Sequence, residues 1–336
     1  MVAPDGSLRR ARELRFSHPG YDRNMLAQIG GQGWLALRLS EDAGGAGLGV
    51  SEFCVLAEEF GARLAPEPAL GAIAMSRLLR GQDLDQCISG AGVFIPAWRE
   101  TGEPDAPKTR YAAGRVSGVK HAVYMADGAD AFVVSTDSGA VLLRASSPGV
   151  RADISASQDG GNIATLHMND APAELLNGDM DEALDELSLA TSAYLLGVIG
   201  VCVRLTLDYL RERRQFGKPI GAFQALQHRA ADMFTQRLLL DASIDAAARA
   251  VDAGSESHSQ RRAAVSRAYL RAVEASLLVT REAIQLHGAI GYTDEHDLGL
   301  LVRKALTLRA VAGSAAAHRR NFATSAGLFG ATENAA

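Results

Sequence analysis

The chain is poor in the residues that anchor several common classes of protein. It has three cysteines, Cys54, Cys87 and Cys202, an odd number with no C-x-x-C spacing. Neither a disulfide framework nor a zinc site is signalled; no metal is expected, and a reducing compartment fits. It has only four lysines, Lys108, Lys120, Lys218 and Lys304, against 30 arginines, and a net charge of −5. That acidic balance argues against sequence-independent nucleic-acid binding. The first thirty residues are charged and lack the apolar core of a signal peptide. No run approaches the roughly 18 apolar residues of a membrane span. A cytoplasmic protein outside the membrane is expected. Its 336 residues leave room for two or three domains and a large core.

The texture of the chain changes twice. Residues 1–88 read as a helical domain, with apolar residues at helical spacing in Glu52–Leu64 and Ala69–Leu79 and a break at Pro66 and Pro68. The glycine-rich run from Gly44 to Gly49 has no strand before it, so it reads as a structural loop and not a phosphate cradle. Residues 89–175 form a middle β domain. Short apolar runs at Val93–Ile95, Tyr111–Val116, Ala131–Val134, Ala140–Leu143 and Asn162–His167 alternate with turn residues such as Gly114, Asp137-Ser-Gly139 and Pro148-Gly149. Residues 176–326 are helical again, in segments at about 181–214, 223–253, 259–290 and 297–318; residues 327–336 are a tail. The fold class is therefore α+β: an N-terminal helical domain, a middle antiparallel β domain and a C-terminal four-helix bundle. Within the bundle, Leu195-Leu196, Val198-Ile199, Val201 and Val203 form the core stripe, and Gly197 and Gly200 allow close helix contact.

The most informative stretch begins at Arg211-Glu-Arg-Arg-Gln-Phe-Gly-Lys-Pro219 and continues through Gln224. Gly217 and Pro219 stop the preceding helix, which puts Arg213 and Arg214 on its last turn beside a backbone break. Guanidinium forks hold phosphate at two points. Phe216 adds a flat apolar face, and Gln224 a donor and an acceptor. The set suits a nucleotide diphosphate, although a solvated arginine-rich helix end would look the same in isolation.

This stretch resembles the R-x-x-F-G-x-x-[IL]-x-x-[FH]-Q…A-D-M segment of the acyl-CoA dehydrogenase family. Ile284-Gln-Leu-His-Gly-Ala-Ile-Gly-Tyr-Thr-Asp-Glu-His296 is similar to that family's Q-x-x-G-G-x-G-Y-x-x-E-H signature. Gly33-Trp34, Glu41 to Gly49 and Ala57-Glu-Glu-Phe-Gly61 look like its amino-terminal domain. The three blocks stand in family order, and the second also matches the short subunits of actinobacterial heteromeric members. The resemblance implies FAD-dependent α,β-dehydrogenation of an acyl-CoA thioester, with a steroid side chain or another bulky acyl group as candidate substrate. Electron-transfer flavoprotein or a similar acceptor is the implied redox partner. It further implies that FAD bridges two subunits. The ADP end of a neighbour's FAD would meet Arg213, Gln215 (usually threonine), Phe216, Gln224, Gln285, Gly288 and Ala289 (usually glycine).

The other half of the resemblance is degraded. The position of the family's usual catalytic glutamate is Ala312. The alternative position, at the start of the long helix, is Leu187 with Glu186 beside it, and one residue on a helix turns a side chain by about 100°. Glu186 is thus the remaining candidate base, against the reading of an acidic residue complementing the helix dipole. Ala122 stands where a tryptophan packs on the flavin ring, and Tyr124 where a smaller hydroxyl residue lies. His287 could face a ligand or cap a helix, and Glu295-His296 reads as a structural turn. These departures imply one subunit of an α2β2 assembly that completes a partner's FAD site and lacks the base. The alternatives are a self-sufficient homotetramer with Glu186 as base, and a non-catalytic binding or structural protein on the same fold.

Overall fold

The structure is a computed structural model that describes residues 7–100, 109–254, 257–309 and 313–325. Ala312 and the tail 327–336 lie outside the described residues. Packing divides the chain into two compact units. One comprises Glu13–Gly49 and Pro66–Leu187, the other the described parts of Val2–Arg12, Val50–Ala65 and Ser188–Ala336.

The amino-terminal helices are α1 (Arg9–Leu14), α2 (Arg23–Gly31), α3 (Val50–Ala62), α4 (Ala69–Ser76) and α5 (Gly81–Ser89). Asp22 starts α2 by accepting a hydrogen bond from the Asn24 amide. The loop before α3 is structural: Gly44 and Gly47 adopt φ of 79° and 64°, and a Cβ on Gly45 would lie 2.3 Å from the Leu39 carbonyl.

The β region holds β1 (Phe94–Ala97), β2 (Arg110–Ala112), β3 (Arg115–Tyr124), β4 (Ala131–Thr136), β5 (Gly139–Arg144), β6 (Val150–Ala156), β7 (Asn162–Pro172) and β8 (Glu174–Leu175). They make two four-stranded sheets, ordered β1-β4-β5-β8 and β2-β3-β7-β6. One pair departs from the antiparallel expectation: β1 runs parallel to β4, with Phe94 opposite Ala131. A parallel pair needs a crossover, and the excursion through β2 and β3 supplies it. Every other ladder in the two sheets is antiparallel. Strand β6 gives no sequence signal because it is an edge strand, mostly exposed along Val150–Ala156. By contrast β7 buries Asn162, Ala164, Leu166 and Met168 in strict alternation.

Helix α6 (Met180–Glu212) follows. It is the one described helix long and apolar enough by composition to cross a membrane, yet 94% of its apolar window is buried inside the protein, as in a core helix. A short hairpin, β9 (Arg214–Gln215) and β10 (Lys218–Pro219), leads to α7 (Gln224–Asp252) and α8 (His258–His287). A Ser257/Gln260 capping box opens α8. The expected single helix over 297–318 is two, α9 (Leu298–Leu308) and α10 (Ala315–Ser325). Gly313, at φ 115°, breaks it, and the Ser314 hydroxyl accepts from the Ala317 amide to start the second.

Within the second unit α3 and α6 cross at backbone contact. A Cβ on Gly61 would sit 1.9 Å from the Tyr194 carbonyl oxygen, and one on Gly197 2.1 Å from that of Glu58. The second of these is the close approach expected of Gly197. Gly200 is less confined, its nearest neighbour being Arg237 Nε at 3.5 Å. Asp252 of α7 completes this packing by accepting the Val50 and Ser51 amides, capping α3 from another helix.

Candidate functional site

Arg213 is bonded to the last turn of α6, but Arg214 does not lie on a helical turn as its sequence context implies. Helix α6 ends at Glu212, and Arg214-Gln215 pair with Lys218-Pro219 as a two-residue hairpin. The two residues at its tip, Phe216 and Gly217, have φ of 52° and 81°. Positive φ at both central positions is what a tight hairpin with the right strand twist requires. For phenylalanine that conformation is strained. Phe216 is also 91% exposed, touching the edge of Phe223 at 6.1 Å between ring centroids. Lys218 Nζ lies 4.3 Å from the Phe223 ring centre. Arg213, Arg214, Gln215 and Gln224 are all exposed. The Arg213 amide donates to the Tyr209 carbonyl and its own carbonyl accepts from Ile220, so the hairpin is rooted on the last turn of α6.

The second motif lies at the C-terminal end of α8. Gln285, Gly288 and Ala289 are exposed, and Gly288 ends the helix at φ 66° with open space where a Cβ would stand. Tyr292 and Ile290 beside it are 77% and 44% exposed. His287 neither faces solvent nor caps the helix by its side chain. It is 3% exposed, its ring stacked on Tyr209 at 4.6 Å and met edge-on by His296 at 4.8 Å. Its Nδ1 donates to the Ala283 carbonyl at 2.7 Å, and Nε2 is buried without a well-aligned hydrogen bond. Burial pushes the imidazole below its ordinary range against the opposing effect of the Ala283 and Leu205 backbone, and His296 adds to the lowering. The turn Asp294–Asp297 is held by Arg12, which donates to the Asp294 and Glu295 carbonyls and pairs with Asp297 at 2.8 Å. Arg303 pairs with Asp294 at 2.9 Å. Glu295-His296 is accordingly part of a tied turn, with His296 Nδ1 accepting from the Leu298 amide.

The Tyr209–His287 stack brings the two motifs to one end of the second unit. Their side chains suit the diphosphate part of FAD: two exposed guanidiniums and an ammonium, an exposed aromatic face and a glycine at which backbone can approach closely.

Glu186 belongs to the other unit and is neither solvated nor free. It is 3% exposed. Arg38 grips it from two nitrogens, Nε to Oε2 at 3.0 Å and Nη2 to Oε1 at 2.8 Å, and Arg77 pairs with Oε1 as well. Sequence reasoning missed both arginines, which lie 148 and 109 residues away along the chain. In the same unit, β3 carries a register shift between Lys120 and Val123, with Ala122 at φ 52°. Tyr124 turns its hydroxyl to Asp159 at 2.7 Å. Lys120 is fully buried on Glu100 at 2.7 Å, with Ser135 at 3.1 Å, and burial lowers its pKa against the pull of Glu100. These residues serve the β framework.

Residues 179–327 match the family profile "Acyl-CoA dehydrogenase, C-terminal domain", and residues 5–80 match "Acyl-CoA dehydrogenase, N-terminal domain". The chain is 31% identical over 328 residues to the acyl-CoA dehydrogenase IpdE2 of Mycolicibacterium smegmatis, covering 91% of this chain and 88% of that protein. Its fold superposes on the Tcur3481-Tcur3483 steroid ACAD with a TM-score of 0.86 at 26% identity, covering 96% of this chain and 93% of that one. The ChsE4-ChsE5 complex from Mycobacterium tuberculosis matches at a TM-score of 0.85 and 27% identity, over 96% and 92% of the two chains.

Proposed function

This chain belongs to the acyl-CoA dehydrogenase family of FAD-binding flavoproteins, and we propose that it acts as one subunit of a heteromeric member, completing a partner's FAD site without supplying the catalytic base. The observation that carries this reading is an asymmetry. The residues assigned to a neighbour's nucleotide are present and exposed, whereas the carboxylates that could act as base are absent or occupied. Ala312 stands at the usual position. The two oxygens of Glu186 accept three N–H donors from Arg38 and Arg77.

The chemistry FAD would supply when bound is a hydride acceptor for the β carbon of the thioester. The part of this chain is to bind and orient. Arg213 and Arg214 pair with the pyrophosphate, Phe216 offers its exposed ring, and Gln215, Gln224 and Gln285 supply donors and acceptors. Gly288, with no side chain, lets the backbone come close, with Ala289 beside it. General-base catalysis is worth about 10²–10⁴ in rate, so a chain without a base needs a partner's carboxylate to turn over. The relatedness to a steroid ACAD and to a two-protein complex supports a bulky acyl-CoA as substrate and a homologous chain as partner. Electron-transfer flavoprotein is the acceptor in this reading. Three buried cysteines outside any disulfide suit a cytoplasmic setting.

The test is co-expression with a neighbouring acyl-CoA dehydrogenase-like chain, followed by the FAD-to-protein ratio of the purified species. One FAD per two chains, with none on this chain alone, supports the half-site reading. One FAD per chain in a homo-oligomer sinks it and favours the self-sufficient tetramer.

A further inference from the structure

The two nucleotide-facing segments are some seventy residues apart in sequence, yet a column of three rings joins them. Tyr209 sits on the last turn of α6, and the Arg213 amide donates to its carbonyl, so ring and hairpin root are fixed by one turn. His287 is the last residue of α8, between Gln285 and Gly288. Its ring lies on Tyr209 at 4.6 Å and 24° between planes, and His296 meets it edge-on at 4.8 Å and 62°. The turn carrying His296 is tied by Arg12 and Arg303.

A histidine is an expensive way to fill that space. Its Nε2 is buried and makes no well-aligned hydrogen bond, which costs stability that a phenyl ring would not. What imidazole adds is orientation: Nδ1–H bonded to the Ala283 carbonyl at 2.7 Å locks the ring plane against rotation about the end of α8. Buried groups that break a stability rule concentrate at functional positions. We propose that the column Tyr209–His287–His296 sets the spacing and angle between the hairpin and the end of α8, with His287 as the positioning residue of the FAD-holding surface. This rests on the assignment of those two segments to FAD.

The experiment is a titration of the FAD-depleted assembly with FAD, followed by flavin fluorescence, beside a thermal unfolding curve of each variant. His287→Ala and Tyr209→Ala raise the FAD Kd by about tenfold or more, equivalent to about 1.4 kcal/mol. His287→Phe, which keeps a ring to stack on Tyr209 but loses the bond to the Ala283 carbonyl, recovers only part of that loss. Tyr269→Phe is the structural control. It removes a buried hydroxyl from the Leu308 and Gly313 carbonyls in the same unit, and so lowers the unfolding midpoint while the Kd stays at the wild-type value. If His287→Ala lowers the midpoint with the Kd unchanged, the ring is ordinary core and the inference is overturned. A His287→Phe protein that binds FAD as weakly as His287→Ala overturns the stacking argument. If the unmodified assembly takes up no FAD, the cofactor assignment falls first and this inference with it. That outcome is distinct from a wild-type protein that binds and variants that do not differ.

Discussion

Replacing Glu186 by glutamine distinguishes a structural carboxylate from a catalytic one. The side chain of Glu186 is 4% exposed and receives Arg38, itself 12% exposed, through two nitrogens. Glu186→Gln keeps the volume but removes the charge, and its amide nitrogen turns a donor toward guanidinium donors. Removing one partner of a buried ion pair costs about 3–5 kcal/mol, because the other charge stays behind. Arg77 contributes little to that figure, since at 35% exposure it can return to water and also lies 3.9 Å from Glu182. The expected loss is therefore at the low end, about 3 kcal/mol. In urea this moves the midpoint down by on the order of 1 M at an ordinary slope. Turnover of the FAD-bearing assembly on an acyl-CoA thioester, measured below the unfolding range, stays within about threefold of wild type, whereas loss of a general base costs about 10²–10⁴. A hundredfold loss of turnover with an unchanged midpoint would refute the reasoning and make Glu186 the base.

Four further outcomes are expected. Gly197→Ala places a methyl 2.1 Å from the Glu58 carbonyl and forces α3 and α6 apart, with a stability loss of about 1–3 kcal/mol or more; an unshifted denaturation midpoint would contradict the close crossing. Phe216→Gly relieves the positive φ of 52° and raises stability by about 1 kcal/mol while weakening FAD uptake; calorimetry beside an FAD titration reads both signs. Because burial lowers the His287 pKa from 6.5, the native state binds fewer protons than the unfolded chain just below that pH. Its effect is absent above about 6.5, and stability falls with a slope of up to about 1.4 kcal/mol per pH unit until the folded pKa is passed, then levels off. In His287→Phe that part of the pH profile is flat. Finally, burial pushes the Cys87 and Cys202 thiols up to about 12, so neither is modified by a thiol reagent in the native protein and both react on unfolding.

Short-range patterns settled much of this protein. The helical spacing of Glu52–Leu64 and of the long segment after residue 180, and the order of the glycine and arginine motifs, are all written within one or two turns of chain. They sufficed for the α+β class and the family, because periodicity depends on neighbours a few residues away. Where tertiary contacts override local preference, the residues by themselves were silent or misleading. Phe216 looks like the end of a helix, and only the pairing of Arg214-Gln215 with Lys218-Pro219 makes a hairpin of it, at the cost of a left-handed phenylalanine. The parallel β1·β4 pair and the exposed edge strand β6 are decided by where the crossover returns, which no local pattern encodes. Nor could sequence show that Glu186 is clasped by Arg38 and Arg77, or that Tyr209, His287 and His296 share one column. Those contacts join residues far apart along the chain, and the energy that selects them arises only when folding removes both partners from water.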